Sequence, residues 1–350
     1  MSAPSNTLLS SIKLSRLLLP VIIGLGGVVY LMYTQLDFEE IRQLTWTGST
    51  TFWLVCAVIC YVLRHCFYAW RLQVMTGGFF GFLKSMQLIG IWEFSSAISP
   101  TNIGGSGVAL YFLSKEKLSV ARTVTIVLYS MILDTLIFIV LMPLFYILFG
   151  SLVIRPEGDP NTLGFVSTFW TVLAAMFAYG LFFYIGLFLR PGAISKTIIF
   201  FANIPLLRRF RASLEKTAAD IPIAAEEIKK QNWSYHFWST LHTLGAWVLR
   251  FVAISCIIIA IVPGVEAGWF DHVILCLRGM AMHVITTFSP TPGGSGVSEY
   301  LFGGFYGDYV PTGISSLVAL VWRLNTYYPY LLLGAMIIPI WIRSLDQRAD

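Results

Sequence analysis

The sequence Ser-Pro-Thr-Asn-Ile-Gly-Gly-Ser-Gly-Val at residues 99–108 returns, one residue shorter, as Ser-Pro-Thr-Pro-Gly-Gly-Ser-Gly-Val at residues 289–297. Each copy follows one apolar run and precedes another. Proline lacks a backbone donor and disfavours helix at the residue before it, so Ser-Pro-Thr ends a helix. Gly-Gly-Ser-Gly lets the backbone turn tightly and approach another group closely. The two copies therefore predict two units of helix, break and helix.

The composition around these units is that of a membrane protein. Of the 350 residues, 57% are hydrophobic and only 12% are charged, whereas a soluble domain carries about 25% charged residues. The sequence therefore predicts an all-α polytopic membrane protein. The net charge of +5 is explained by the excess of Lys and Arg in cytoplasmic loops, so no nucleic-acid partner is expected.

Six apolar runs reach the length of about 20 residues that crosses a bilayer. They lie at about 17–36, 51–75, 119–149, 163–190, 236–262 and 312–342. The two helix-break-helix units, at about 83–114 and 271–306, lie between them. Because each half is short, we interpret both units as re-entrant hairpins. The alternative is two closely packed full spans per unit, which leaves the orientation of the other spans unchanged.

Loop charges orient the chain. With the N-terminus inside, most basic residues fall on the cytoplasmic side, namely Lys13, Arg16, Arg71, Lys84, Lys115, Lys117, Arg122, Arg343, Arg348 and the cations of residues 190–230. This predicts a bacterial-type inner-membrane protein with both termini in the cytoplasm. Its expected parts are a cytoplasmic N-terminus (1–16), the first span and first repeat (17–190), a basic cytoplasmic connector (191–235), the second repeat (236–342) and a cytoplasmic tail (343–350). The connector is interpreted either as amphipathic helices near the headgroups or as a plain solvated linker.

The two halves match beyond the glycine phrases. Tyr-Val-Leu-Arg at 61–64 corresponds to Trp-Val-Leu-Arg at 247–250. Three predicted spans separate corresponding points of the two halves. Since three is odd, we expect an inverted repeat, in which the hairpins enter from opposite sides and their tips meet near the bilayer midplane.

Charged residues within the apolar runs are the candidate site. A charge at the centre of a membrane helix costs about 2.5–3.5 kcal/mol on insertion scales. Such residues are therefore expected to have an oppositely charged partner or a function in binding or transport. We predict that four arginines line a path for a lipid phosphate, because the planar guanidinium holds two phosphate oxygens. They are Arg64, Arg250, Arg278 and Arg323.

The glycine phrases are predicted to offer backbone N–H groups to the same anion at helix starts. These residues are Gly104, Gly105, Ser106 and Gly107, and Gly293, Gly294, Ser295 and Gly296. A coupling or pairing role is predicted for Glu93, Asp134, His283 and Glu299. In the alignment of the two repeats Glu93 corresponds to His283, and Asp134 corresponds to Arg323. Each acid thus corresponds to a base in the other half, which predicts that these residues pair across the pseudo-two-fold axis. The alternatives are structural ion pairs for Arg64 and Arg323, and tight packing for the glycines.

The phrase Pro-Thr-Pro-Gly-Gly-Ser-Gly-Val-Ser-Glu at 290–299, the earlier Leu-Arg and the duplicated break resemble the flippase-like transmembrane family. This is the membrane region of lysylphosphatidylglycerol synthases (multiple peptide resistance factors), which also occurs as stand-alone proteins. The resemblance covers about 15–342 and implies movement of a phospholipid or polyprenyl-linked lipid between leaflets. In the synthases a soluble domain makes the aminoacylated lipid. Only a short tail follows Arg343 here, so we expect no enzymatic activity. The first copy has Leu110 where the second has Glu299, which favours the second hairpin as the binding element.

The expected function is therefore that of a lipid translocase, which moves an anionic phospholipid or lipid-linked intermediate between leaflets by a passive or ion-coupled route. The alternative is a secondary transporter of a small soluble anion, which would have a closed aqueous vestibule in place of a lateral opening. An enzyme acting on lipid phosphates is disfavoured, because it needs a nucleophile or a metal cluster and the sequence shows no Asp/Glu pair and no His cluster at metal-ligand spacing. The glycine phrases are not Walker motifs either, since no Gly-Lys-Ser/Thr follows them. We expect no cofactor or metal. The expected partner is an anionic membrane lipid, and a second copy of the chain and a lipid-modifying enzyme are further candidates.

Overall fold

The computed structural model of the chain describes residues 33, 38–42, 44–99, 104–155, 162–203, 211–265, 268–289 and 291–347. Regular structure in these ranges is helical. The predicted span at 17–36 lies outside the described residues apart from Tyr33, and so do residues 100–103 of the first break.

The described helices follow the chain as α1 (Phe38–Arg42), α2 (Gly48–Met75), α3 (Phe82–Ile98), α4 (Gly104–Lys115), α5 (Val120–Phe149), α6 (Thr162–Tyr184), α7 (Pro191–Ala202), α8 (Arg211–Lys229), α9 (Trp233–Ile261), α10 (Trp269–Thr286), α11 (Val297–Tyr306), α12 (Thr312–Thr326) and α13 (Tyr328–Asp346). Short 3₁₀ turns occupy Gly150–Val153 and Pro292–Gly294, and a π-helical turn occupies Ile185–Leu189. Both predicted helix-break-helix units are present as pairs of helices, α3 with α4 and α10 with α11.

Five helical runs in the described part of the chain are long and apolar enough to cross a membrane. They are Gly48–Met75, Arg122–Val153, Thr162–Leu189, Trp233–Ile261 and Thr312–Leu345. These candidate spans coincide with five of the six spans predicted from the sequence. The last of them is divided at Tyr327 into α12 and α13, because Pro329 cannot donate the backbone hydrogen bond that would continue the helix.

The long helices α2 and α9 begin at polar caps and form the most extensive helix contact of the fold. The Thr47 hydroxyl accepts from the Thr50 N–H at 3.2 Å, and the Asn232 amide oxygen accepts from the Tyr235 N–H at 2.9 Å. Side by side, α2 and α9 form the wall against which the helix-break-helix units pack. Helix α13 lies along α3, where a Cβ at Gly334 would come within 2.5 Å of Phe94 Cβ.

The connector between the halves is folded in its described part. Helices α7 and α8 pack on each other, and α8 also packs on α5. Ile221 of α8 is fully buried and forms a small apolar cluster with Val124 of α5. The opposite face of α8 carries charged and exposed residues. The connector is therefore an amphipathic helical element seated on α5.

We expect Ile221→Val to lower the free energy of unfolding by about 1 kcal/mol, because it removes a methylene group from a filled apolar site. Ile223 lies on the same helix but is 65% exposed, so Ile223→Val serves as the matched control and should have almost no effect. Unfolding titrations with a denaturing detergent would measure both. Equal effects at the two positions would contradict the packing of α8 on α5.

Candidate functional site

A cavity of about 170 Å³ lies among helices α2, α3, α4, α5, α6, α9 and α10. Six of the residues predicted from the sequence line it: Arg64, Glu93, Ser106, Asp134, Arg250 and His283. Apolar side chains, including Met131, Met176 and Phe288, complete the lining. Phe288 is 41% exposed, so the cavity reaches the molecular surface beside an apolar side chain. Charged and apolar walls therefore face one space.

Arg64 is held rigidly on one wall by a carboxylate and by aromatic rings. Its Nη2 donates to both carboxylate oxygens of Glu93, each at 3.0 Å, and its Nη1 donates to the Tyr330 hydroxyl at 3.0 Å. The guanidinium carbon lies 4.9 Å and 4.8 Å from the ring centres of Tyr61 and Tyr68. Arg64 thus forms a structural ion pair, which was the alternative to its predicted phosphate contact. Because Glu93 is bonded to Arg64, the predicted pairing of Glu93 with His283 is wrong.

A second ion pair on the wall joins Arg71 to Asp134. Arg71 Nη1 lies 2.6 Å from Asp134 Oδ1, which also accepts from Trp247 Nε1 at 3.0 Å. The predicted pairing of Asp134 with Arg323 is therefore wrong. So is the interpretation of Arg71 as a cytoplasmic loop cation, because the residue is 5% exposed and lines the cavity. Arg64 and Arg71 are seven residues apart on α2 and thus share a helix face. This spacing is the sequence signal that could have identified Arg71.

A smaller cavity of about 20 Å³ adjoins the first and shares Arg250 and His283 with it. It is large enough for about one water molecule. Arg323 lines it and donates from Nε to Glu299 Oε1 at 2.7 Å and from Nη1 to the Gly293 carbonyl at 3.0 Å. Arg323 is 4% exposed and Glu299 is 6% exposed. Arg323 is therefore compensated by a carboxylate of its own half of the chain.

The second glycine phrase binds a carboxylate of the chain itself. Glu299 Oε2 accepts the Gly296 N–H at 2.7 Å, while the N–H groups of Gly294 and Ser295 are donated to the carbonyls of Thr291 and Pro292. Three of the four backbone N–H groups at residues 293–296 are therefore already used within the chain, which leaves the predicted phosphate cradle at this phrase without support.

Close packing describes Gly293 of the second break. Gly293 has φ +56°, and a Cβ there would lie 3.0 Å from Tyr327 Cδ2 and 3.3 Å from the Ala97 carbonyl oxygen. The Tyr327 hydroxyl donates to that same carbonyl at 3.1 Å. One tyrosine therefore joins the end of α3 to the second break.

Residues of the first glycine phrase have two different surroundings: Gly105 packs against α3, and Ser106 lines the large cavity. Gly104 opens α4, and a Cβ at Gly105 would lie 2.6 Å from Ser96 Cα, so α4 packs closely on α3 at this point. Ser106 lines the large cavity, whereas a Cβ at Gly107 would meet nothing within 4 Å. Ser106 is thus the member of this phrase that faces the candidate site.

Arg278 lies apart from both cavities. It is fully buried, pairs with Asp308, and donates to the carbonyls of Leu152 at 3.0 Å and Phe305 at 3.3 Å. These contacts fasten α10 to the turn after α5 and to the end of α11. The prediction that Arg278 lines the phosphate path is therefore wrong, and its role is structural.

Arg250 differs from the other arginines of the site. It forms no hydrogen bond or ion pair with the described residues, and its guanidinium carbon lies 5.4 Å from the centre of the Trp247 ring. The side chain is half-buried and lines both cavities. Since Arg64 and Arg71 are compensated by Glu93 and Asp134, the large cavity keeps one positive charge in excess. A half-buried guanidinium without an ion-pair partner favours an anion.

The described residues offer no metal site of three or more His, Cys, Asp or Glu side chains. The groups that face the large cavity are instead guanidinium, imidazole, indole and hydroxyl donors, together with two carboxylates that are already paired. This set of donors is suited to an oxyanion.

Comparison with known proteins agrees with the membrane character of the fold. Residues 17–334 match the family described as the lysylphosphatidylglycerol synthase TM region. The chain is also 24% identical over 343 residues to a UPF0104 membrane protein of Archaeoglobus fulgidus, an alignment that covers 89% of this chain and 94% of that protein. No solved structure matches the chain significantly. The family match spans nearly the whole chain, so this multi-pass membrane protein belongs to the family of the lysylphosphatidylglycerol synthase TM region.

Proposed function

We propose that the protein is a lipid translocase that moves the headgroup of an anionic phospholipid or lipid-linked intermediate between the leaflets. The observation that carries this proposal is the uncompensated guanidinium of Arg250 in a cavity within the membrane-spanning helices. Membership of a family named for a lipid synthase suggests a protein that handles lipid. The headgroup crosses by binding and release, so the proposal requires no chemical step.

Arg250 has the geometry for a lipid phosphate. Its planar fork of N–H donors holds two phosphate oxygens at once, and no side chain among the described residues forms a hydrogen bond or ion pair with it. The partly apolar surroundings strengthen this attraction relative to water. Trp247 stacks near the guanidinium and donates its own N–H to Asp134, which fixes the orientation of the indole ring. Phe288, Met131 and Met176 form an apolar part of the cavity lining, and we propose that the acyl chains follow the headgroup along this part.

The proposed architecture is an inverted repeat with two re-entrant hairpins, in an inner membrane, with both termini in the cytoplasm. Helices α4 and α11 have 12 and 10 residues. At 1.5 Å per residue they are about 15–18 Å long, which is short of a hydrocarbon core of about 30 Å. The repeat is supported by the contact of α2 with α9, whose corresponding arginines, Arg64 and Arg250, line the same cavity.

A leaflet-exchange assay tests the function. The purified protein is placed in liposomes that contain a short-chain fluorescent phosphatidylglycerol or phosphatidylcholine, and a membrane-impermeant quencher reports the outer leaflet. We expect the phosphatidylglycerol analogue to exchange faster than in protein-free liposomes and faster than the phosphatidylcholine analogue. Exchange no faster than in protein-free liposomes for both lipids would overturn the proposal. Phosphate uptake by the same liposomes would then identify a transporter of a soluble anion.

The charge balance of the cavity should set the affinity for the anion. Asp134→Asn removes one negative charge while an amide oxygen still accepts from Trp247 and Arg71. We expect binding of a short-chain phosphatidylglycerol to tighten roughly twenty- to thirtyfold, since one unit charge at about 8–10 Å and an effective dielectric of about 20 contributes about 2 kcal/mol. Calorimetric titration in detergent measures the affinity. Unchanged binding in a folded variant would show that the anion lies elsewhere.

A further inference from the structure

His283 lies on the wall between the two cavities. It belongs to the last turn of α10 and lines both the large and the small cavity. Its ring packs against those of Trp247, at 4.8 Å between centroids, and Phe138, at 5.3 Å. Within the described ranges its ring nitrogens have no hydrogen-bond partner, although its backbone carbonyl accepts from Thr286 and Thr287. Its nitrogens are thus available to solvent or ligand in the cavities.

Three of the other four histidines have fixed partners. His65 bonds to Tyr330 and to the Met86 carbonyl, His236 bonds to Tyr129, and His272 bonds to Ser255. The fourth, His242, packs among the rings of Phe67, Trp70 and Trp238 and lines neither cavity. His283 is thus set apart from them by a free imidazole beside the candidate anion site.

The charges around His283 come from several helices. Those lining the two cavities are Arg64, Arg71, Glu93, Asp134, Arg250 and Arg323, and the phenols of Tyr68 and Tyr179 line the large one. Arg64, Arg71 and Arg323 each pair with a carboxylate. The uncompensated charge next to His283 is therefore that of Arg250. While the cavity is empty, this cation opposes protonation of the imidazole, because two like charges would share a poorly solvated space.

We infer that His283 is the binding site of a coupling proton, which it takes up when an anionic headgroup binds to Arg250. This inference rests on the proposed lipid site. The phosphate compensates the guanidinium, so a proton on His283 no longer adds a second unbalanced cation. The proton comes from the buffered aqueous phase by way of water in the cavity, binds a free ring nitrogen and returns to that phase when the headgroup leaves. By linkage, protonation of His283 strengthens anion binding by the same factor as the anion strengthens protonation.

The coupling has a consequence for transport. A phosphodiester headgroup carries one negative charge, and the proton on His283 carries one positive charge. The two cross together without net charge. A pH difference across the membrane therefore drives the lipid toward one leaflet, whereas the membrane potential does not.

Proton uptake on binding tests the inference without requiring transport. The full-length protein in detergent is titrated with soluble dihexanoylphosphatidylglycerol by calorimetry, near neutral pH, in two buffers of different ionisation enthalpy. The dependence of the observed heat on the buffer gives the protons taken up per lipid bound. We expect uptake of a fraction of a proton, up to one, in the wild type. We expect none in His283→Gln and a wild-type value in His242→Gln, the matched control.

The outcomes separate this inference from the proposed function. Lipid binding without proton uptake in the wild type, or uptake that persists in His283→Gln, would overturn the coupling role and leave the lipid site standing. Absence of lipid binding in the wild type would overturn the lipid site and the coupling role together. Loss of uptake in His242→Gln as well would overturn the assignment to His283, because the effect would then follow from histidine loss in general.

Discussion

Arg250→Gln is expected to slow exchange of an anionic lipid roughly hundredfold while the protein stays folded. A bidentate contact between guanidinium and phosphate contributes about 3 kcal/mol when both groups are charged. Glutamine removes the charge and the fork. Because Arg250 has no ion pair or hydrogen bond with the described residues, the substitution leaves no buried carboxylate without a partner. The loss of its contact with Trp247 should change stability by less than about 1 kcal/mol.

Two further variants make this result specific. Arg250→Lys keeps the charge but not the planar fork, so we expect an intermediate rate, about tenfold below the wild type. Arg211→Gln removes an exposed arginine that pairs with Glu215 one helical turn away and should exchange lipid at the wild-type rate. The leaflet-exchange assay measures the rates, and thermal unfolding checks the fold. Wild-type exchange by a folded Arg250→Gln protein would exclude Arg250 as the phosphate ligand.

Glu299→Ala is expected to destabilise the protein by about 3–5 kcal/mol, the usual cost of leaving one member of a buried ion pair without its partner. Arg323 is 4% exposed and would keep its charge without the carboxylate. The Gly296 N–H would also lose its acceptor at the start of α11. The free energy of unfolding in a denaturing detergent, or the yield of folded protein, measures the effect.

The control for this loss is Glu215→Ala, which breaks the exposed pair with Arg211 and should change stability by about 0.5 kcal/mol or less. The double variant Glu299→Leu with Arg323→Met removes both charges at once. It should recover much of the lost stability, since well-packed apolar residues often replace a buried ion pair without cost. A Glu299→Ala protein as stable as Glu215→Ala would contradict the buried pair.

The spans could be predicted from the sequence because hydrophobic length alone decides which helices can cross a bilayer. The division at Tyr327 could not, although Pro329 was visible. A proline inside an apolar run does not always divide a helix: α5 continues through Pro143 and α13 through Pro339. At Tyr327 the missing donor of Pro329 is accompanied by a tertiary contact of the Tyr327 hydroxyl with Ala97, and such contacts between distant segments are not encoded in local patterns.

The members of the candidate site were easier to predict than their partners. An ionisable residue in an apolar run needs a polar neighbour, so the sequence alone identifies Arg64, Glu93 and Asp134 as candidates. Repeat alignment then suggested partners across the pseudo-symmetry, but it does not say which helix face a residue occupies. The observed pairs lie within the first half of the chain, Arg64 with Glu93 and Arg71 with Asp134. Arg71 was missed because its place near the end of a span resembles that of a loop cation.

Tyr327 contacts both the end of α3, which precedes the first break, and the second break. Its hydroxyl is bonded to the last turn of α3, and its ring lies against Gly293 in the break that follows α10. Tyr327 is also the residue between α12 and α13, and the second break contacts α3 directly as well. A displacement of α13 or of the second break is therefore expected to shift the end of α3, so that the two helix-break-helix units move together.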